Sequence, residues 1–277
     1  MAQYRLSYGF EWEGIVPFGA KVSHRGMVQN VFGYLSQVPN ENIIMGDWNV
    51  TADMSVGSRR RDNNVEIVSP VFASRESMVA AFSLMAKYCR NLGIQAHRSG
   101  GIHVHVGRLS VEPARYLRPL SDRNGFPALA LARQWALKEE EMFAQFRPWP
   151  ERALFIGTWR TEFIEYLTEL AEQASSLTAG DLYNRLLWGW YGIHRGTSAP
   201  APRAYWAQEY NERAGRHYDP SRYMACNLDA LTQHHTVEFR LFNGTLRPDQ
   251  FQQYAQAVED LVHTAWAEYL TPVATAL

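Results

Sequence analysis

The chain has 277 residues, of which 46% are hydrophobic and 13% aromatic, enough for a sizeable core and too many for global disorder. Its 27 basic and 28 acidic residues leave a formal charge of -1, so there is no basic field to suggest a nucleic-acid partner and no acidic tail. The first residues, MAQYRLSYGF, show no basic stretch ahead of an apolar one, and no apolar run approaches the length of a membrane span. With only two cysteines, Cys89 and Cys226, far apart in segments that read as helix and strand, the expectation is a cytoplasmic protein with reduced thiols.

In chain order, residues 4 to 13 (YRLSYGFEWE) alternate. Tyr8, Phe10 and Trp12 fall on one side, while Gly9, Glu11 and Glu13 fall on the other, which predicts a half-buried strand with two carboxylates on its second face. Residues 47 to 55 and 63 to 72 predict a β-hairpin, joined by the polar stretch VGSRRRDNN and closed by Pro70. From Ser74 to Leu92 apolar residues step by four and three (Met78, Phe82, Met85, Cys89, Leu92), with Ser74 placed as N-cap and Gly93 as C-cap. This helix should cover the apolar face of the sheet. Residues 101 to 107, GIHVHVG, put His103 and His105 on one strand face and Ile102, Val104 and Val106 on the other.

Residues from about 111 to 220 change character. Helical stretches such as ALALARQWALKEEEMFAQF and TEFIEYLTELAEQ, interrupted by RPWPER and GTSAPAPRAYW, predict a helical insertion with mobile loops. Alternation returns at residues 234 to 246, where His235, Val237, Phe239 and Leu241 oppose Thr236, Glu238 and Arg240. A final amphipathic helix carries Phe251, Tyr254, Val258, Leu261, Ala265 and Tyr269 on one stripe.

A spacing of two recurs: Glu11 with Glu13, Asp53 with Ser55, His103 with His105, Glu238 with Arg240. If these strands share one sheet, their polar faces merge into a floor of carboxylates, imidazoles and a guanidinium, a set suited to divalent cations bridging phosphate oxygens. Each pair also has a plainer reading. An ExE on a strand is commonly a solvated face, Asp53 and Ser55 fit turn chemistry, and Arg59, Arg60 and Arg61 fit a solvated loop tip. The conjunction favours a site.

The segments GFEWEG, WNVTADMS followed by VEIVSP, GGIHVHVG, and RYMACNLDAL leading into HTVEFRLFNGTL resemble, in order and spacing, the amidoligase family. That family belongs to the carboxylate-amine ligase superfamily, with glutamine synthetase and γ-glutamylcysteine synthetase. The likeness covers about residues 4 to 106 and 222 to 269. It implies an α+β fold across residues 1–277 as one catalytic domain: a mostly antiparallel, glutamine synthetase-like sheet backed by helices, with the insertion at about 111–220. It also implies ATP-dependent amide-bond formation through an acyl phosphate, with two or three Mg²⁺ ions. By motif, Glu11, Glu13, Glu66, His103 and Glu238 resemble metal ligands, and Arg240 resembles the arginine facing the transferred phosphate. The catalytic candidates are Arg240, Glu238 and His105, and the cofactor-binding candidates are Arg240, Arg222, Asn227, Asp53 and Ser55. Val65 departs from the glycine often found before the EIVSP glutamate. The expected partners are a small-molecule or peptide carboxylate and an amine.

Two other classes stay open. A cupin-like or other metal-dependent hydrolase would also use HxH, although the cupin pattern wants a glutamate four or five residues on, and Gly107 to Ser110 contain none. A non-catalytic nucleotide- or metal-binding module on a ligase fold is the second, and retention of every candidate ligand weighs against it.

Overall fold

The computed structural model describes residues 5–16, 43–45, 47–51, 64–109, 125–153, 155–194, 220–234 and 236–274. The strands are β1 (Arg5–Ile15), β2 (Ile43–Met45), β3 (Asn49–Thr51), β4 (Asn64–Val68), β5 (Val71–Phe72), β6 (Gln95–Ala96), β7 (Gly101–Leu109), β8 (Cys226–Asn227) and β9 (Val237–Asn243). The α-helices are α1 (Arg75–Leu92), α2 (Gly125–Phe146), α3 (Thr161–Gln173), α4 (Ala179–His194), the short α5 (Ala230–Gln233) and α6 (Pro248–Ala274). Helices and antiparallel sheet together make an α+β fold, as expected. The chain divides into two compact units: residues 1–106, 146–154 and 239–258 form the first, and residues 107–145, 155–238 and 259–277 the second.

In the first unit β1 is the organising strand. It pairs antiparallel with β4 in a register that sets Glu13 opposite Glu66 and Glu11 opposite Val68, and antiparallel with β5 and β6. The expected hairpin is present as the antiparallel pair β3 and β4, with Thr51 opposite Glu66. Its connection lies outside the described residues, and so do Asp53, Ser55 and Arg59 to Arg61. Pro70, which lacks an N–H, falls between β4 and β5, so the strand stops at Val68 and resumes at Val71. β7 lies beside β1, and β9 beside β7.

The alternation read from β1 holds. Leu6, Tyr8, Phe10 and Trp12 are buried, and Phe10 meets Phe82 of α1 at 5.4 Å and Phe251 of α6 at 5.2 Å. Phe82 stacks on Phe251 at 4.0 Å, so α1 and the start of α6 cover this face. The Ser74 side chain accepts the Ser77 N–H, and Gly93 ends α1 with φ 75°, a left-handed conformation that glycine takes without strain. Both caps were legible in the sequence.

The second unit is mainly helical. Trp159 and Phe163 pack on Trp190 at 5.5 and 5.3 Å. Tyr166 of α3 lies where a side chain at Gly189 of α4 would begin, since a Cβ there would be 2.1 Å from its ring. The buried Glu139 carboxylate accepts the Trp135 indole N–H at 2.9 Å and the Trp159 backbone N–H at 3.0 Å, tying the segment before α3 to α2. Of the two expected interruptions, RPWPER (147–152) carries the 3-10 turn Pro150–Arg152, and GTSAPAPRAYW (196–206) lies outside the described residues, as do residues 110–124. Cys89 and Cys226 are buried and free, and no helix among the described residues is long and apolar enough to cross a membrane.

His194 closes this aromatic cluster, 4.3 Å from Trp190 and 5.1 Å from Phe163, and both its ring nitrogens are buried without a hydrogen-bond partner among the described residues. Burial, with Arg160 nearby, lowers its pKa from 6.5 to about 3. Between those values the unfolded chain binds a proton that the folded ring refuses. This contribution to stability is therefore full above pH 6.5 and is lost as the pH falls toward 3, by about 1.4 kcal/mol per pH unit. Urea unfolding of wild type and His194→Phe at pH 7 and pH 5 should show the smaller loss in the variant. Equal losses would mean that the folded ring accepts the proton.

Candidate active site

β1 and β7 build the centre of the site. Glu11 and Glu13 are two residues apart on β1, and His103 and His105 are two apart on β7, so each pair occupies one face of its strand. The opposite faces hold Phe10, Trp12, Ile102, Val104 and Val106, all buried, which fixes the polar residues to the other side. A slip of one residue would bury the carboxylates in the core instead. The structure brings all four polar side chains together. His103 Nδ1 lies 2.9 Å from Glu11 Oε2, His103 Nε2 3.5 Å from Glu13 Oε1, and His105 Nε2 3.4 Å from Glu11 Oε1.

Burial works against the Glu11 charge, yet hydrogen bonds and charge from His103 and His105 outweigh it and hold this carboxyl well below its usual range. Glu11 is therefore an anion in the fold. The short distance to the Glu11 anion marks Nδ1 of His103 as the ring nitrogen that donates to it. Its Nε2 faces a Glu13 oxygen at 3.5 Å. Ligands bonded at about 2.0 to 2.2 Å around one divalent ion stand about 3 to 3.5 Å apart, so His103 Nε2 and the Glu13 oxygen have the spacing of two ligands of one ion.

Around this centre, the second Glu13 oxygen accepts the Gly101 N–H at 2.7 Å. Glu66 stands opposite Glu13 on β4 and accepts the Thr51 hydroxyl at 3.3 Å. Val65, the departure noted in the sequence, is buried opposite Gly14. Arg240 of β9 places Nη1 3.5 Å from His103 Nδ1. Because the Nδ1 proton is directed at Glu11, that contact is not a good hydrogen bond.

Glu238 precedes Arg240 by two on β9 and so shares its strand face. Within the second unit its Oε2 accepts Asn227 Nδ2 at 2.6 Å, and Asn227 Oδ1 accepts the Asp229 N–H at 2.9 Å, which fixes the amide orientation. Arg222, expected near a cofactor, has Nε 3.7 Å from Asp229 Oδ2, and the Tyr191 hydroxyl donates to Asp229 Oδ1. The first unit thus gathers Glu11, Glu13, Glu66, His103, His105 and Arg240, while Glu238, Asn227 and Arg222 form a linked set in the second.

Sequence reasoning missed Arg152, Tyr191 and Asp229. Arg152 is buried beneath Arg240, where Nη2 donates to the Arg240 carbonyl at 2.7 Å and Nη1 to the Phe242 carbonyl. The only sequence signal was an arginine in the Trp-Pro stretch RPWPER, which read as an interruption between helices.

An antiparallel sheet that carries carboxylates, imidazoles and an arginine on one face defines a ligase-type enzyme once the family match is added. The chain belongs to the family described as "Putative amidoligase enzyme", which matches residues 8–262. No curated protein matches it.

Proposed function

We propose that this protein is an ATP-dependent carboxylate-amine ligase that forms an amide bond through an acyl phosphate and releases ADP and phosphate. The observation that supports it most is the gathering of two carboxylates, Glu11 and Glu13, around His103 with Arg240 beside the same ring. In this reading Glu11, Glu13, Glu66 and His103, with Glu238 proposed as a further ligand, would hold Mg²⁺, which would supply positive charge to offset that of the ATP phosphates. Arg240 offers its planar fork to the transferred phosphoryl group. Asn227 and Arg222, linked to Glu238 and Asp229, are proposed to bind the nucleotide, and Asp53 and Ser55 are proposed as further cofactor-binding residues.

An oxygen of the substrate carboxylate attacks the γ-phosphorus, the bond to the ADP oxygen breaks, and the acyl phosphate forms. The amine then attacks the carbonyl carbon, phosphate leaves with the carboxylate's former oxygen, and the amine gives up a proton. His105, held beside Glu11, is the base proposed for that proton. The partners are a small-molecule or peptide carboxylate and an amine.

The test is a screen of carboxylates and amines for nucleotide cleavage with Mg²⁺. ADP and phosphate are expected, hydroxylamine should trap a hydroxamate when the amine is omitted, and oxygen-18 in the carboxylate should reach the phosphate. AMP and pyrophosphate, or label retained wholly in the product, would overturn the mechanism. Stoichiometric zinc or iron with no nucleotide cleavage would favour the hydrolase reading instead.

A further inference from the structure

We infer that Arg152 is a positioning residue: it clamps the β9 backbone at Arg240 and braces the Gly101–Glu13 contact, so that the phosphate-facing arginine and one metal ligand are held by a single guanidinium. The inference rests on the ligase reading above and adds a part to it. Arg152 comes from the 3-10 turn Pro150–Arg152, between helices and remote in sequence from β1, β7 and β9. That turn is tied down at its start, where the Trp149 N–H donates to Asn243 Oδ1 at 2.8 Å and Asn243 Nδ2 donates to the Arg147 carbonyl at 3.2 Å. The side chain then enters the site fully buried.

Its two terminal nitrogens divide the work. Nη2 donates to the Arg240 carbonyl at 2.7 Å and Nη1 to that of Phe242. Carbonyls two residues apart on a strand point the same way, so one planar fork spans both and fixes the backbone on either side of Leu241. The direction in which Arg240 leaves the strand is set by that backbone. The guanidinium also lies against Gly101, where a Cβ would stand 2.0 Å from Nη2 and 2.4 Å from Cζ. Gly101 is the residue whose N–H holds Glu13. The Glu13 charge favours the Arg152 cation while Arg240 opposes it, so Arg152 is an internal counter-charge to the candidate metal ligand.

A simple space-filling role explains this poorly. Arg152 Nε is buried with no hydrogen-bond partner among the described residues, and burial lowers the pKa of the group to about 10. A buried, incompletely satisfied guanidinium is a weak stabiliser, and an apolar side chain would fill the volume at less cost. What it supplies is geometry.

Arg152→Lys separates geometry from charge, because an ammonium keeps the charge but is a point donor and cannot span two carbonyls. Three readouts are needed: thermal unfolding, Mn²⁺ binding to the nucleotide-free protein by electron paramagnetic resonance, and kcat and KM for ATP. The expected result is a folded variant with Mn²⁺ affinity about 10-fold weaker, the low end for loss of a supporting contact to a metal ligand. Its kcat should fall by about 10-fold or more with KM for ATP nearly unchanged, and Arg152→Lys/Arg240→Lys should be no slower than Arg240→Lys alone, as for residues acting as one unit. Should the lysine variant fail to fold, Arg152→Gln, which keeps a planar amide donor without charge, is read the same way. Wild-type Mn²⁺ affinity and kcat in a folded variant, even with a lowered melting temperature, would overturn the inference. A wild-type protein that binds Mn²⁺ but cleaves no ATP would overturn the ligase reading, while the Mn²⁺ measurement would still decide the brace on Glu13.

Discussion

Arg240→Lys is expected to lower turnover at least about 100-fold while the protein stays folded, the scale on which a single donor to transition-state charge acts. The side chain is only half-buried and its Nη1 stands 3.5 Å from His103. An ammonium would keep the charge beside that ring but lose the fork that matches two phosphoryl oxygens. In the proposed mechanism negative charge spreads over the transferred phosphoryl group, and the fork is aimed at that group rather than at ground-state ATP. The loss should therefore fall on kcat more than on KM for ATP. Steady-state kinetics with an identified carboxylate and amine decide it. Near wild-type turnover would reduce Arg240 to a structural cation beside Glu11 and Glu13.

Glu11→Gln is expected to weaken divalent-cation binding at least about 100-fold, because even supporting partners of metal ligands cost about 10- to 100-fold and Glu11 is proposed as a direct anionic ligand. The two imidazoles that now direct N–H groups at its oxygens would meet an amide NH₂ on one side. Glu11 is also the carboxylate that the fold keeps charged against the effect of burial, so neutralising it removes a preformed anion. Titrating activity against Mg²⁺, and Mn²⁺ binding without nucleotide, should both shift to higher metal concentration. Unchanged metal affinity would leave Glu11 as an anchor for His103 and His105 only.

The sequence exposed the parts of this site that obey a short period. GFEWE and HVH are read correctly because a strand with one face in the core forces residues of like position to the same side, and Trp12 and Val104 leave no choice of face. Ser74 and Gly93 were legible because capping is local chemistry. Glu66 was found by motif, and its place opposite Glu13 is a register that no periodicity within either strand encodes. Arg152 was hidden for the same reason. It meets carbonyls 88 and 90 residues away, and neither the Trp-Pro context nor its spacing signals burial. The Tyr191–Asp229 link joins α4 to the segment before α5 across 38 residues, and it escaped notice for the same cause.

The pairing of Trp12 with the far end of the chain bears on how the protein is made. The Trp12 indole N–H donates to the Thr245 carbonyl at 2.7 Å across 233 residues, and Phe10 packs on Phe251. During synthesis the first strand therefore emerges long before the last of the partners that cover it. At about 5 to 20 residues per second, ~10 to 50 s pass before residue 258 is translated, at the end of the first unit. In that interval α1 can already supply Phe82 to Phe10, but the place of Phe251 beside both rings stays unfilled. The core around Phe10 and Trp12 is therefore closed late, when Phe251 and the Thr245 carbonyl arrive.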